Sequence, residues 1–364
     1  MLTLDAFSRA LTYCTYCPNL CRHSCPVADA EAREAVTPRA KMALLQTLRT
    51  EARPWSSDAA SVLYACNGCG LCTRYCAHEV DVASALLAGR SAAVDRHAGH
   101  PALADLPKRF YARAARRRGE LRAGFPERLT QQADFAHLPG CGAMRGGIES
   151  VRRDRALYRR FGIPDVPIAD LPFACAGYAL WAGGHRSELM RVAEKTAAAL
   201  ARIATLCSSC PACVWMLREV YPTLGARLAT RVLHMVEWIE PRLAGVRIMR
   251  RPGHALYHDA CYLGRHLGIL QPPRRLAAAC VETLGEFQAS RELGQCSGGG
   301  GLVPVTAPDT AARTAARRLA EAREAGVHLI VTACPTARRT MAAAGGSPRV
   351  VELLDLVAAA AKYV

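Results

Sequence analysis

The chain has 364 residues, 51% of them hydrophobic and 21% charged, which excludes a low-complexity or disordered polymer and supplies cores for two or three domains. A formal net charge of +16 admits anionic partners, but with aromatic residues at only 6% a base-stacking platform is poorly supplied, and no nucleic acid is expected. Seventeen cysteines occur with no basic leader ahead of an apolar run and no apolar span of about 18 residues, so the expectation is reduced thiols, a cytoplasmic location and no transmembrane segment.

Eight of the cysteines fall in the first 76 residues. Cys14, Cys17, Cys21 and Cys25 are spaced C-x2-C-x3-C-x3-C, and Cys66, Cys69, Cys72 and Cys76 are spaced C-x2-C-x2-C-x3-C. The second spacing is that of a bacterial 4Fe-4S ferredoxin, where three close thiolates wrap one cluster and the fourth reaches the other. Soft thiolates suit iron-sulfur chemistry, and Pro26, Gly68 and Gly70 are the turn-forming neighbours that let backbone N–H groups face sulfur. Structural zinc is the alternative, but zinc seldom needs a third and fourth cysteine so close by. The first run departs from the pattern by one extra residue between its second and third cysteines, and Ala77 stands where proline often follows the second run.

About forty residues separate the two runs, too many for a compact two-cluster ferredoxin. The spacing predicts a helix opening after Pro38 with Met42, Leu44, Leu45 and Leu48 on its apolar face, hence a helical ferredoxin domain over residues 1–100. A basic linker helix is expected over 101–130. Within it, residues 107–118 read as a solvated face, with partner docking through Phe110 and Tyr111 as the competing reading.

The remaining residues repeat themselves. FAHLPGCG, ACAGYALWAGG, TLCSSCPACVWML and RVLHMVEWIE return in the same order as LYHDACYLGRHLG, QCSGGGGLVP, VTACPTARRTM and RVVELLDLVA. Cys141, Cys175 and Cys210 recur as Cys261, Cys296 and Cys334, offset by 120, 121 and 124 residues. Short apolar runs alternate with helical segments, which predicts a parallel α/β unit over 131–246 and a second, degenerate one over 247–364, with cysteines in loops at strand ends. The fold class expected is therefore α+β and multi-domain. In the glycine run of the second unit, no Lys-Ser/Thr follows and no dinucleotide fingerprint is present, so a packed turn is preferred to a phosphate loop. Cys207 and Cys280 fall outside the repeat and read as buried small hydrophobes, and His234 and His266 as structural histidines.

Two cysteine runs followed by two cysteine-rich halves resemble the iron-sulfur subunit of glycolate oxidase and the related heterodisulfide reductase D-type subunits. TPRAKM, HDACYLGRHLG, GYALWAGG and CPACVWML carry the likeness, which covers nearly the whole chain. The resemblance implies a ferredoxin domain that relays electrons, and cysteine-rich CCG units that hold a further cluster. The partner it implies is a flavoprotein dehydrogenase or oxidase, or a membrane cytochrome b-type subunit. This protein would then be peripheral at the inner membrane face through that partner.

As in two-cluster ferredoxins, Cys14, Cys17, Cys21 and Cys76 are expected to hold one 4Fe-4S cluster, and Cys25, Cys66, Cys69 and Cys72 the other. In the family pattern Ala176 would be the second cysteine of C-C-G, so ACAG is a CCG motif short of one thiol. Cys141, Cys175, Cys210 and Cys213 still supply four, for a third cluster or a zinc. The second half has Ser297 and Ala337 in place of thiols, leaving Cys261, Cys296 and Cys334 as a degenerate site that needs Ser297 or His258 as a further ligand. The function expected is that of an iron-sulfur electron-transfer subunit passing electrons from a flavoprotein or heterodisulfide reductase-like partner to a quinone or cytochrome, with no flavin or nicotinamide site of its own. A catalytic disulfide reductase and a non-redox zinc-binding interaction protein are the alternatives.

Overall fold

The computed structural model describes residues 3–362. Its N-terminal part is helical: α1 (Ser8–Tyr16), α2 (Pro26–Glu31), α3 (Pro38–Arg49), α4 (Ser57–Tyr64), α5 (Leu71–Arg74) and α6 (Val82–Asp95). The Thr37 hydroxyl accepts from Ala40 N and Pro38 occupies the first turn, so α3 starts where its cap and proline dictate. Met42, Leu45 and Leu48 are fully buried against Leu11, Leu63 and Leu86, and Leu44 packs at the margin of that core.

The long helix α7 (Leu106–Gly124) carries the basic stretch and leads into β1 (Leu129–Thr130), β2 (Gln132–Leu138), α8 (Glu149–Arg160), β3 (Ile168–Ala169), α9 (Tyr178–Gly183), α10 (Arg186–Leu200), β4 (Arg202–Ser208), α11 (Pro211–Trp215), α12 (Tyr221–Thr223), β5 (Arg231–His234) and α13 (Met235–Ile239). The second half comprises β6 (Arg247–Ile248), β7 (Arg251–His258), α14 (Gln271–Cys280), β8 (Val281–Glu286), α15 (Val303–Thr306), α16 (Pro308–Glu324), β9 (Leu329–Thr332), α17 (Pro335–Ala343), β10 (Arg349–Glu352), α18 (Leu353–Ala360) and β11 (Ala361–Lys362).

Two parallel sheets result, ordered β1-β3-β2-β4-β5 and β10-β9-β7-β8, so both place the first long strand of their half beside the strand that precedes its last cysteine loop. The segments that matched in sequence are thus equivalent elements in space. β2 pairs with β4 from Gln132↔Arg202 to Leu138↔Ser208, and β7 pairs with β9 up to His258↔Thr332, which brings the loops carrying the paired cysteines to the carboxyl ends of adjacent strands. A salt-bridge network joins the halves: Arg153 on α8 donates to Glu352 Oε2 and Asp355 Oδ1, both at 2.6 Å.

The docking reading of the basic helix is corrected at one residue. Phe110 is buried in the first-half core, packed edge-on to Tyr111 and tilted against Phe173, so it anchors α7 internally and is not free for a partner. Arg117 is also buried, with an Nε that has no hydrogen-bond partner among the described residues.

Candidate iron-sulfur centres

The ferredoxin cysteines gather into two groups that interleave the two sequence runs. Burial pushes the Cys14 thiol up to about 12, with Cys21, Cys76 and Cys17 adding repulsion. Burial raises Cys21 to about 11, again with Cys76 and Cys17 beside it. Cys25 is raised by burial against the pull of Lys41, and its thiol neighbours are Cys66 and Cys69. Cys72 is raised by burial together with Cys69, Cys66 and Cys25. Each group therefore takes three thiols from one run and the fourth from the other, and Cys21 next to Cys25 makes the groups adjacent.

A cavity bounded by Cys25, Cys66, Cys69 and Cys72 lies against Lys41. The Lys41 ammonium is buried, donating to the Ala65 carbonyl and to Cys25 Sγ at 3.8 Å. Gly68 and Gly70 both have positive φ (65° and 68°), and Gly68 N–H points at Cys66 Sγ at 3.4 Å. The glycines are needed because an L side chain resists that conformation and the turn must present its amide to sulfur. The outer group is half-exposed and neighbours the most exposed large apolar side chains of this region, Tyr16 (83%) and Leu20 (63%).

In the first half, Cys141 follows β2, Cys175 follows β3, and Cys210 and Cys213 open α11 after β4. Cys141 packs in one core with Cys175, Cys210 and Cys213, and its neighbours Cys175 and Cys213 pull its thiol well down. All four predicted thiols meet. Gly140 makes this possible, since a Cβ there would sit 2.1 Å from Cys210 Cβ. Gly177 N–H points at Cys175 Sγ at 3.4 Å, the same turn as at Cys66. The cations Arg117 and Arg145 also lower Cys141. Sequence reading placed Arg117 on a solvated face; its position on α7, about two helical turns from Phe110 and so on the same side, was the available signal of burial.

The second half departs from expectation. Cys296, Cys261 and the ferredoxin residue Cys69 pack together with Leu71. Cys334 instead has Cys210 of the first half as its foremost thiol neighbour, and burial raises it to about 12. The trio Cys261, Cys296 and Cys334 is thus divided between two places, because the second half is closed over the ferredoxin loop. His258 packs edge-on to Phe287 at 6.0 Å, and burial lowers it to about 3.

The contacts that close the second half over that loop are specific. Arg265 donates to Cys69 O at 2.7 Å, and His266 Nε2 lies 2.9 Å from Gly68 O. The glycine run is a docking turn: a Cβ on Gly300 would meet Asn67 O at 2.4 Å, and one on Gly301 would meet Cys66 O at 2.0 Å. Buried Arg90 on α6 donates to Leu63 O, Cys66 O, Ala182 O and Gly301 O, joining the ferredoxin part to both halves. On the far side, α16 reaches α2 through Arg313 to Ala30 O (2.8 Å) and Arg317 to Asp29 O (2.8 Å). Cys207 and Cys280 are fully buried, and the His234 side chain caps α13, accepting from Val236 N at 3.3 Å.

Fold and thiol groups define an iron-sulfur protein that couples a helical two-run ferredoxin domain to a paired parallel α/β unit. Residues 10–80 match a 4Fe-4S dicluster domain, and residues 255–341 match the CCG cysteine-rich domain. The chain is 25% identical over 291 residues to the B component of fumarate reductase (CoM/CoB) from Methanothermobacter marburgensis, covering 79% of this chain and 58% of that one, so it spans little more than half of that relative's length. It is 22% identical over 294 residues to the D component of dihydromethanophenazine:CoB–CoM heterodisulfide reductase from Methanosarcina barkeri, covering 77% and 72%. A shorter match, 35% over 107 residues, is to a probable membrane-anchored ferredoxin of Chromohalobacter salexigens, covering 29% of this chain and 16% of that one. The chain is thus similar to these heterodisulfide reductase and fumarate reductase components and carries segments that match a 4Fe-4S dicluster domain and a CCG domain. Among the described residues no helix is long and apolar enough to cross a membrane.

Proposed function

We propose that the chain is the electron-relaying subunit of a multi-subunit oxidoreductase, with Cys14, Cys17, Cys21 and Cys76 holding one 4Fe-4S cluster and Cys25, Cys66, Cys69 and Cys72 the other. Cys141, Cys175, Cys210 and Cys213 hold a third iron-sulfur group. Such clusters accept and donate single electrons when bound. The observation that carries the reading is the adjacency of the two thiol groups, the outer one half-exposed throughout and the inner one including the buried Cys25 and Cys69.

Within this reading the chain's own residues orient and tune. Gly68, Gly177 and their turns aim amides at sulfur, Lys41 offsets thiolate charge in the inner group, and Arg117 does so in the first half. The exposed Tyr16 and Leu20 beside the outer group are the contact for a flavoprotein or a cytochrome b-type partner, the donor or acceptor that this chain needs. Anaerobic co-purification tests it: a flavin- or haem-containing subunit accompanies the wild type, and Tyr16→Asp with Leu20→Asp releases it while iron content stays unchanged. A chain that purifies alone, or a double variant that keeps its partner, contradicts the docking assignment.

A further inference from the structure

The second half contains a pair of thiols that the relay does not use. Ser297 and Ala337 remove two sulfurs from that half and Cys334 faces Cys210, so Cys261 and Cys296 are left in contact with each other. Two thiols are too few to enclose an iron-sulfur cluster. Their position is nonetheless specific: Cys296 is packed with Cys261 and with Cys69, one of the four thiols of the inner group. Gly298 N–H points at Cys296 Sγ at 3.4 Å and fixes that sulfur in its turn. Arg318 adds a cation beside Cys296. Cys296 is 3% exposed, whereas Cys261 is half-buried, so one sulfur faces the inner group and the other is within reach of solvent.

We propose that Cys261 and Cys296 form a reversible dithiol–disulfide couple charged from the ferredoxin clusters through Cys69. The inference rests on the reading that Cys69 ligates a 4Fe-4S cluster. In the reductive direction the Cys261–Cys296 sulfur–sulfur bond breaks, two electrons enter it, and each sulfur takes one proton from solvent through the Cys261 side. Two reduced 4Fe-4S clusters supply one electron each and return to their oxidised state, so the electron count of the two clusters matches that of one disulfide. In the opposite direction two thiols lose two protons, the bond forms, and two oxidised clusters take one electron each. The couple gives a chain of one-electron carriers a two-electron store at the point where the ferredoxin loop meets the second half.

The test uses the full-length protein with its clusters reconstituted anaerobically, poised at graded potentials, quenched in acid with an alkylating reagent and mapped by mass spectrometry. Iron and acid-labile sulfide are measured on the same samples. The expected result is a linked Cys261–Cys296 peptide pair, lighter by two hydrogens, at oxidising potentials, and full alkylation of both at reducing ones, following a two-electron Nernst curve. Cys261→Ser and Cys296→Ser each abolish the linked pair and leave iron per chain unchanged. Alkylation of both thiols at every potential, with iron intact, overturns the couple alone. Loss of one cluster's iron in Cys261→Ser overturns it by making that residue a ligand. Protein without iron at the ferredoxin thiols overturns the cluster reading and the couple with it.

Discussion

On the proposed ligand assignment, replacing Lys41 by methionine separates the two ferredoxin clusters by potential, because Lys41 is buried beside only one of the thiol groups. Its Nζ lies 3.8 Å from Cys25 Sγ. At that distance, with the effective dielectric suited to protein sites, a unit charge pair interacts by about 4 kcal/mol. An electron added to a cluster is spread over several atoms, so taking it at about twice that distance leaves about 2 kcal/mol. For a one-electron couple this is a shift of about 85 mV. The sign follows from charge: the ammonium favours the more negative reduced cluster, so its removal lowers the potential. Methionine keeps most of the volume and leaves no unpaired buried donor, and the apo chain should lose little stability. The assay is a potentiometric titration followed by low-temperature EPR, with iron content as the control. The cluster perturbed by Cys69→Ser moves down, and the one perturbed by Cys14→Ser stays. A shift confined to the Cys14 cluster, or no shift with both clusters present, refutes the reasoning.

Cys76→Ser should alter the spectrum of the cluster that Cys14→Ser alters, while Cys25→Ser follows Cys69→Ser; grouping by sequence run instead would undo the interleaved assignment. In the full chain, Cys210→Ser should remove the first-half metal group, whereas Cys334→Ser should keep its iron and change only its spectrum, since Cys334 is a neighbour of Cys210; equal metal loss from both would make Cys334 a ligand. Burial lowers His234 from 6.5 to about 3. The unfolded chain therefore binds that proton first, so this histidine's contribution is complete above pH 6.5 and declines toward pH 3, with about 2 kcal/mol lost by pH 5. Denaturant titrations at pH 7 and 5 should show a smaller pH dependence in His234→Asn, and an unchanged one would mean that the ring is already charged in the fold.

What sequence could show, and what it could not, divides by distance along the chain. The α3 face of Met42, Leu45 and Leu48 and the two ferredoxin spacings are local patterns, and the repeat is a comparison of segments, so all were legible. The contact of Cys296 with Cys69 spans more than half the chain and depends on how the second half docks, for which the chain carries no periodic signal. The same docking explains why CSGGGG, read as a packed turn, proves to be the surface that meets Cys66 O and Asn67 O. Phe110 was misassigned because the apolar side of α7 is defined by the first-half core it lies on, while its sequence is dominated by arginines.

The central claim, that the ferredoxin thiols hold two 4Fe-4S clusters, is tested most directly by the metal content of full-length Cys210→Ser protein purified anaerobically, which removes the first-half group from the count. About eight irons per chain with an equal amount of acid-labile sulfide, falling to about four in the additional variant Cys76→Ser, is the predicted result. Zinc in excess of iron, or no loss of iron with Cys76→Ser, would contradict it.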